Sequence, residues 1–284
     1  MVGQNRLKQE FKELVDQGRF PRFSIIIGSN GSGKKELVKY LAGLLGVTPY
    51  KAGNGIADVR QVITEAYKSA VPVLYEFDNA DTMSREAKNA LLKVTEEPPH
   101  QAYFVMTLEN RWGTLTTLLS RGTVYNMDPY TRADLLQYVE EHNIQGDKNT
   151  ILSLCTNIGE LVTLSELGID DFYGKVCKVV DNVSQVSVAN ALKISEFISF
   201  AEEDTGFEIV MFWRAIQRVY VEKMLGSTDP VYQKMIAELI SVTQDKVNKC
   251  YIKGINKKML FDMWVFAVRE VEDGYRGTET TDNE

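Results

Sequence analysis

Short apolar runs recur along the first part of the chain, at 24–27 (SIII), 71–77 (VPVLYEF), 102–107 (AYFVMT) and 123–127 (TVYNM). Each is bounded by turn or helix-capping residues, which predicts strands buried on both faces of a parallel sheet. Between them, apolar residues return every three or four positions over 5–17, 34–45, 56–69 and 84–95, the spacing of amphipathic helices. A weaker strand signal lies at 47–51. Strand and helix alternate, so residues 1–128 are expected to form an α/β domain with a helix-covered parallel sheet. The texture then changes. Asp128-Pro129 closes the last strand, Thr131 is placed to cap a helix to about His142, and no strand pattern occurs from there to Val271. The expectation is a small helical unit at 129–175, an all-helical domain at 176–272, and a disordered acidic tail at 273–284 ending in GTETTDNE.

The first strand runs into GSNGSGKK, residues 28–35, and then into a helix. That is the frame of a phosphate-binding loop, G-x-x-x-x-G-K-[ST], with Gly28, Gly33 and Lys34 in register and Gly31 within the loop. In such a loop backbone N–H groups cradle phosphates, the Lys balances their charge, and the last hydroxyl ligates Mg²⁺. Here the last position is Lys35, which cannot ligate a cation and would repel one. The strand VLYEF ends in Asp78, where an acid serving Mg²⁺ belongs, followed by Asn79 where an active ATPase would carry a Glu base. An amide cannot accept the proton, and losing a general base lowers a rate by about 10²–10⁴-fold. Taken alone, Asp78 reads equally well as a strand-end helix cap; beside the loop it reads as half of a nucleotide site whose metal chemistry has decayed.

Composition narrows the function classes further. The chain of 284 residues is 44% hydrophobic and 25% charged, the profile of a globular protein of two or three domains. No apolar window is long enough to span a membrane, the N-terminus lacks a signal-peptide core, and a cytoplasmic location is expected. Cys155, Cys177 and Cys250 have no metal-ligand spacing, so neither zinc nor another metal site is expected. A net charge of −7 argues against a chain that grips nucleic acid alone. His100 and His142 stand isolated and suggest no catalysis. The aromatic-rich stretch FEIVMFWRAIQRVY reads as core or subunit interface.

Several ordered motifs together resemble a known family. DNADTMSREAKNALLKVTEEPPHQAYFVMTLEN is similar to the Walker B region of the bacterial AAA+ clamp-loader subunits of DNA polymerase III. VGQNRLKQEF resembles their opening Gly-Gln box, IADVRQVITEA the helix before Walker B, and LLSRGTVYNMDPYT their arginine-finger segment. The likeness covers residues 1–130; beyond, it rests on helical architecture. It implies an AAA+ domain, then a helical lid and a helical collar, and partners consisting of clamp-loader ATPase subunits, a sliding clamp and primer–template DNA. It also implies that Thr107 lies near the sensor 1 position. Apolar spacing on helix 84–95 leaves Arg85 and Lys88 outside, where the resemblance implies contacts to DNA phosphates and a solvated basic face is the equal alternative. Arg121 would reach a neighbouring subunit's γ-phosphate as an arginine finger.

The departures from the family pattern point to one kind of subunit. Gly122 stands for the usual Cys, the four-cysteine zinc knuckle is missing, and near NIGELVTL the sensor 2 Arg is replaced by Glu160 and Val162. Mg²⁺ ligand, catalytic Glu and sensor Arg are gone while Ser120-Arg121 remains. That combination resembles the delta-prime type, which does not hydrolyse ATP but serves a neighbouring motor; ATP or ADP would bind weakly at best. Two other readings stay open: an active motor subunit of the same family, and a helicase-loading or regulatory AAA+ adaptor.

Overall fold

The computed structural model describes residues 1–183, 185, 209–250 and 255–279. It divides into two compact units, Met1–Tyr138 with Asn157–Gly159, and Val139–Thr156 with Glu160–Glu284.

The first unit is built on five parallel strands: β1 (Phe23–Ile27), β2 (Pro49–Ala52), β3 (Val73–Phe77), β4 (Ala102–Leu108) and β5 (Thr123–Asn126). Their order in the sheet is β2-β3-β4-β1-β5. The weak strand signal at 47–51 is therefore a true edge strand, displaced to Pro49–Ala52. Helices α1 (Asn5–Asp16), α2 (Lys34–Leu45), α3 (Ile56–Lys68), α4 (Arg85–Glu96) and the short α5 (Thr116–Leu119) connect and cover the strands.

Strand periodicity sorts the side chains onto two cores. Phe23, Ile25, Ile27, Tyr75, Phe77, Phe104 and Met106 join Val59, Val62, Leu91 and Val94 of α3 and α4 on one face. Ile26, Leu74, Val105 and Tyr125 join Leu7, Phe11, Leu37 and Leu41 of α1 and α2 on the other. Glu76 and Thr107 fall by the same alternation on the α2 face, each buried. The N-terminus is fastened to the end of β5. Gln4 donates its amide to the Asp128 carbonyl at 2.7 Å and accepts the Asp128 N–H at 2.9 Å, while Arg6 grips the Asp128 carboxylate at 2.9 Å.

Thr131 caps α6 (Arg132–Glu141) as its sequence position suggests. Its Oγ1 accepts the Asp134 N–H at 3.1 Å, and the Asp134 carboxylate accepts the Thr131 N–H at 2.8 Å, a reciprocal capping box. The division between the compact units falls within this helix, at Tyr138/Val139. The second unit contains α7 (Lys148–Leu154), most of α8 (Ile158–Leu167), α9 (Ile169–Asn182), α10 (Ile209–Leu225), α11 (Pro230–Cys250) and α12 (Lys257–Glu279). Among the described residues no strand follows Asn126. The described residues from 139 onward, apart from Asn157–Gly159, fall in this unit.

Trp213, Phe261 and Trp264 are fully buried at its centre, with the Trp213 and Trp264 rings 5.7 Å apart and edge-on. The Trp264 indole donates to Thr243 Oγ1 at 3.0 Å, whereas the buried Trp213 indole N–H has no hydrogen-bond partner among the described residues. The aromatic stretch of α10 is thus core. The final helix continues to Glu279, seven residues beyond the expected start of a disordered tail after 272; residues 280–284, and 186–208 of the expected collar, lie outside the described residues.

Candidate functional site: a phosphate-loop frame closed by its own side chains

Phosphate-loop residues gather at the C-terminal ends of β1, β3 and β4, the edge where open parallel sheets hold ligands. The loop leaves β1 at Gly28 and enters α2 at Gly33, whose φ of 87° is left-handed and whose added Cβ would lie 2.7 Å from the Tyr130 hydroxyl. Gly31, φ 74°, has equally little room: its Cβ would meet the Asn157 side chain, and its carbonyl accepts the Gly159 N–H at 3.2 Å. Glycine at both positions answers a backbone need and a steric one.

Several polar groups of this frame are engaged with one another, while the buried Ser32 hydroxyl has no hydrogen-bond partner among the described residues. Lys34 turns back and donates to the Gly28 and Ser29 carbonyls at 2.6 and 2.8 Å. Burial lowers its pKa, opposed by the charges of Glu109, Asp81 and Asp78. Tyr130 donates its hydroxyl to the Ser32 carbonyl at 3.0 Å, and burial raises its pKa to about 12. No side chain caps the N-terminus of α2.

Lys35 and Asp78 form an ion pair, Nζ to Oδ2, at 2.8 Å. That hydrogen bond raises the Lys35 pKa. The other Asp78 oxygen accepts the Thr107 hydroxyl at 3.0 Å, and Thr107 Oγ1 accepts the Asn79 N–H at 2.9 Å. Asn54, unnoticed in the sequence, braces the same turn: its amide donates to the Asp78 carbonyl at 2.8 Å and to Thr82 Oγ1 at 3.0 Å. Nothing in the local periodicity of AGNGI signals that role. Glu76, on β3 two residues before Asp78, has its pKa raised by burial and by the Asp78 charge.

The Mg²⁺–nucleotide implied by this fold does not fit the residues present. The required hydroxyl is absent, and an ammonium already sits on the carboxylate that would face the metal. An exposed pair of this kind is worth under about 1 kcal/mol, so its own strength is not the obstacle. Charge is: a divalent ion about 4 Å from an ammonium meets about 2 kcal/mol of repulsion in water, and about 8 kcal/mol at an effective dielectric of 20. Among the described residues no group of three or more His, Cys, Asp or Glu side chains could hold a metal ion.

Arg121 lies away from this cluster, in the turn between α5 and β5. Its Nε donates to Glu96 Oε1 at 2.7 Å, its Nη1 to the Thr117 carbonyl at 2.8 Å, and its Nη2 also to Glu96 Oε1. The departure at Gly122 has a packing reason: a Cβ there would stand 2.9 Å from the Phe23 ring. Glu96 was visible in the EEPP stretch only as part of a motif, with no sign of its partner 25 residues on.

The two basic residues of α4 separate. Arg85 is exposed at the first turn, after Ser84, whose hydroxyl accepts the Ala87 N–H at 3.2 Å. Lys88, expected on the outer face, is instead buried, with Nζ donating to the Asp81 carbonyl at 3.2 Å. Its stem lies with Ala87 and Leu91 on the packed face while its head closes the turn below, a use of lysine that apolar spacing alone does not reveal. Lys88 is therefore withdrawn as a surface phosphate contact. At the sensor 2 position Glu160 is buried, accepting the Thr156 N–H at 2.6 Å and pairing with Arg214 at 2.8 Å.

Residues 47–131 match the family model described as DNA polymerase III, delta subunit. The DNA polymerase III delta-prime subunit of Buchnera aphidicola subsp. Baizongia pistaciae is 28% identical over 104 residues, 35% of this chain and 31% of that protein. The delta-prime subunit of Haemophilus influenzae is 25% identical over 116 residues, 39% of this chain and 35% of that protein. The chain thus spans about a third of the length of the curated relatives it matches. In structure it is similar to a DNA polymerase III gamma subunit-related protein of Thermotoga maritima, with a TM-score of 0.53, 16% identity, and coverage of 93% of this chain and 98% of that one. It is also similar to the RuvB Holliday junction branch migration motor of the same organism, with a TM-score of 0.50, 12% identity, and coverage of 78% and 88%. The fold is that of these AAA+ neighbours, and residues 47–131 match the model of the DNA polymerase III delta subunit family.

Proposed function

We propose that this chain is a delta-prime-like, non-hydrolysing subunit of a sliding-clamp loader in DNA replication. Its nucleotide frame is structural, and Arg121 acts in trans on the γ-phosphate held by a neighbouring ATPase subunit. Its partners are the ATPase subunits, the sliding clamp and primer–template DNA, with Arg85 a candidate phosphate contact. The helices after residue 128 provide the lid and the oligomerising collar.

The observation that carries this reading is the 2.8 Å ion pair between Lys35 and Asp78. It sets a fixed positive charge where catalysis would need a divalent cation, on a turn that also lacks a base at Asn79. Arg121 is also ion-paired within the chain, to Glu96, but its side chain is about a third exposed and two of its N–H donors are not used by these contacts. The family likeness over residues 47–131 supports the clamp-loader context.

The test is phosphate release from Mg²⁺-ATP by the purified chain. Background rates are expected, both for the natural chain and after Lys35→Thr, because Asn79 still supplies no base. Mg²⁺-dependent turnover that vanishes in Lys34→Ala would overturn the reading.

A further inference from the structure

We infer that Glu96 is a positioning residue for Arg121, presetting its guanidinium for a phosphate on another chain. The inference rests on the arginine-finger reading above and adds to it a residue outside the nucleotide frame.

Glu96 is the last residue of α4, and the two prolines that follow Glu97 prevent the helix from continuing. Its backbone is thereby held at a helix end that packs against α3 and the sheet, while its side chain is half exposed. Arg121 is anchored from both sides. Its own N–H donates to the Leu118 carbonyl at 3.1 Å, and the following Gly122 packs against Phe23 of β1. At the far end, Glu96 Oε1 accepts from Nε and Nη2, and Thr117 accepts from Nη1.

A guanidinium has five N–H donors. Three are used within the chain, which leaves two, one on each terminal nitrogen, the pair suited to a forked grip on phosphate oxygens. An arginine without these contacts would sample many rotamers, and only a fraction would present that fork. Catalytic groups displaced by about 1 Å lose rate by up to about 10²-fold. Glu96 therefore contributes alignment rather than affinity. The acceptor oxygen matters more than its charge, so glutamine should serve in its place.

The experiment uses the reconstituted clamp-loader complex, with DNA- and clamp-stimulated ATPase measured for natural chain, Glu96→Ala, Glu96→Gln, Arg121→Ala and the Glu96→Ala/Arg121→Ala double variant. Assembly is checked for each by gel filtration. Glu96→Ala should lower the rate at the one site this chain serves by about 10-fold or more, with KM for ATP unchanged, and Glu96→Gln should stay within about 3-fold of the natural chain at that site. The double variant should be no slower than Arg121→Ala alone, since an absent finger cannot be misaligned. If Arg121→Ala is slow while Glu96→Ala runs at the natural rate or faster, the positioning role is overturned and the finger survives. A Glu96→Gln variant as slow as Glu96→Ala also overturns it. If Arg121→Ala itself runs at the natural rate, the finger reading fails and this inference with it.

Discussion

Asn79 stands at a left-handed backbone position, φ 50° and ψ 49°, where asparagine is among the few residues at ease. Its sequence context announces only a missing base; the coordinates add that the turn itself favours the amide. Glu76, on the strand leading into that turn, makes a different demand. Burial raises its pKa above the ordinary 4.5, so the folded chain holds this proton more tightly than the unfolded chain. Its contribution therefore opposes folding as pH rises from about 4.5 through the folded value, and is absent below. Glu76→Gln removes that term. Urea unfolding at pH 4.5 and pH 7 should show the natural chain losing stability relative to Glu76→Gln between the two; a relative gain would contradict the account. At this scale residue types were legible and partners were not. GSNGSGKK named Lys35 as the wrong residue for a metal, but nothing in it says that Asp78 receives the ammonium. Lys88 looked external because lysine is usually solvated, and its long stem allowed the opposite.

At the scale of elements, the runs SIII, VPVLYEF and AYFVMT predicted their strands closely, because a strand buried on both faces needs an unbroken apolar run. The TRAD stretch predicted its helix start, because a capping box is local chemistry. Boundaries that depend on packing did not show. α6 looked like the first helix of a new domain, yet its first turns belong to the first unit, with Leu135 buried there. The polar, acidic end of α12 read as a tail because composition alone does not say where a helix stops. The sensor 2 region is the clearest case. Glu160 and Arg214 are 54 residues apart, and no periodicity couples them, yet they form a buried pair. Removing one partner strands a buried charge, so Glu160→Ala should lower unfolding free energy by about 3–5 kcal/mol. Equilibrium urea denaturation measures it; a change under about 1 kcal/mol would mean the pair is solvated and the helix is held by other contacts.

For the whole molecule, the alternation of strands and helices implied a parallel sheet but not the order β2-β3-β4-β1-β5, which depends on which crossovers pack. That order sets Thr107 of β4 beside β1 and within reach of Asp78 after β3. It brings together a nucleotide frame whose ion pairs and hydrogen bonds are made within the chain, while Arg121 keeps two donors on a partly exposed side chain. In the function proposed above, this chain assists hydrolysis on a neighbour without carrying it out. The most direct measurement is steady-state ATPase of the reconstituted clamp loader, stimulated by clamp and primer–template, with Lys34→Ala or Arg121→Ala introduced into this chain alone. Lys34→Ala should leave turnover within about twofold of the natural complex, whereas Arg121→Ala should abolish the site it serves, a loss of about 10³-fold or more at that site. Turnover lowered by Lys34→Ala and untouched by Arg121→Ala, in complexes that assemble normally, would contradict the claim.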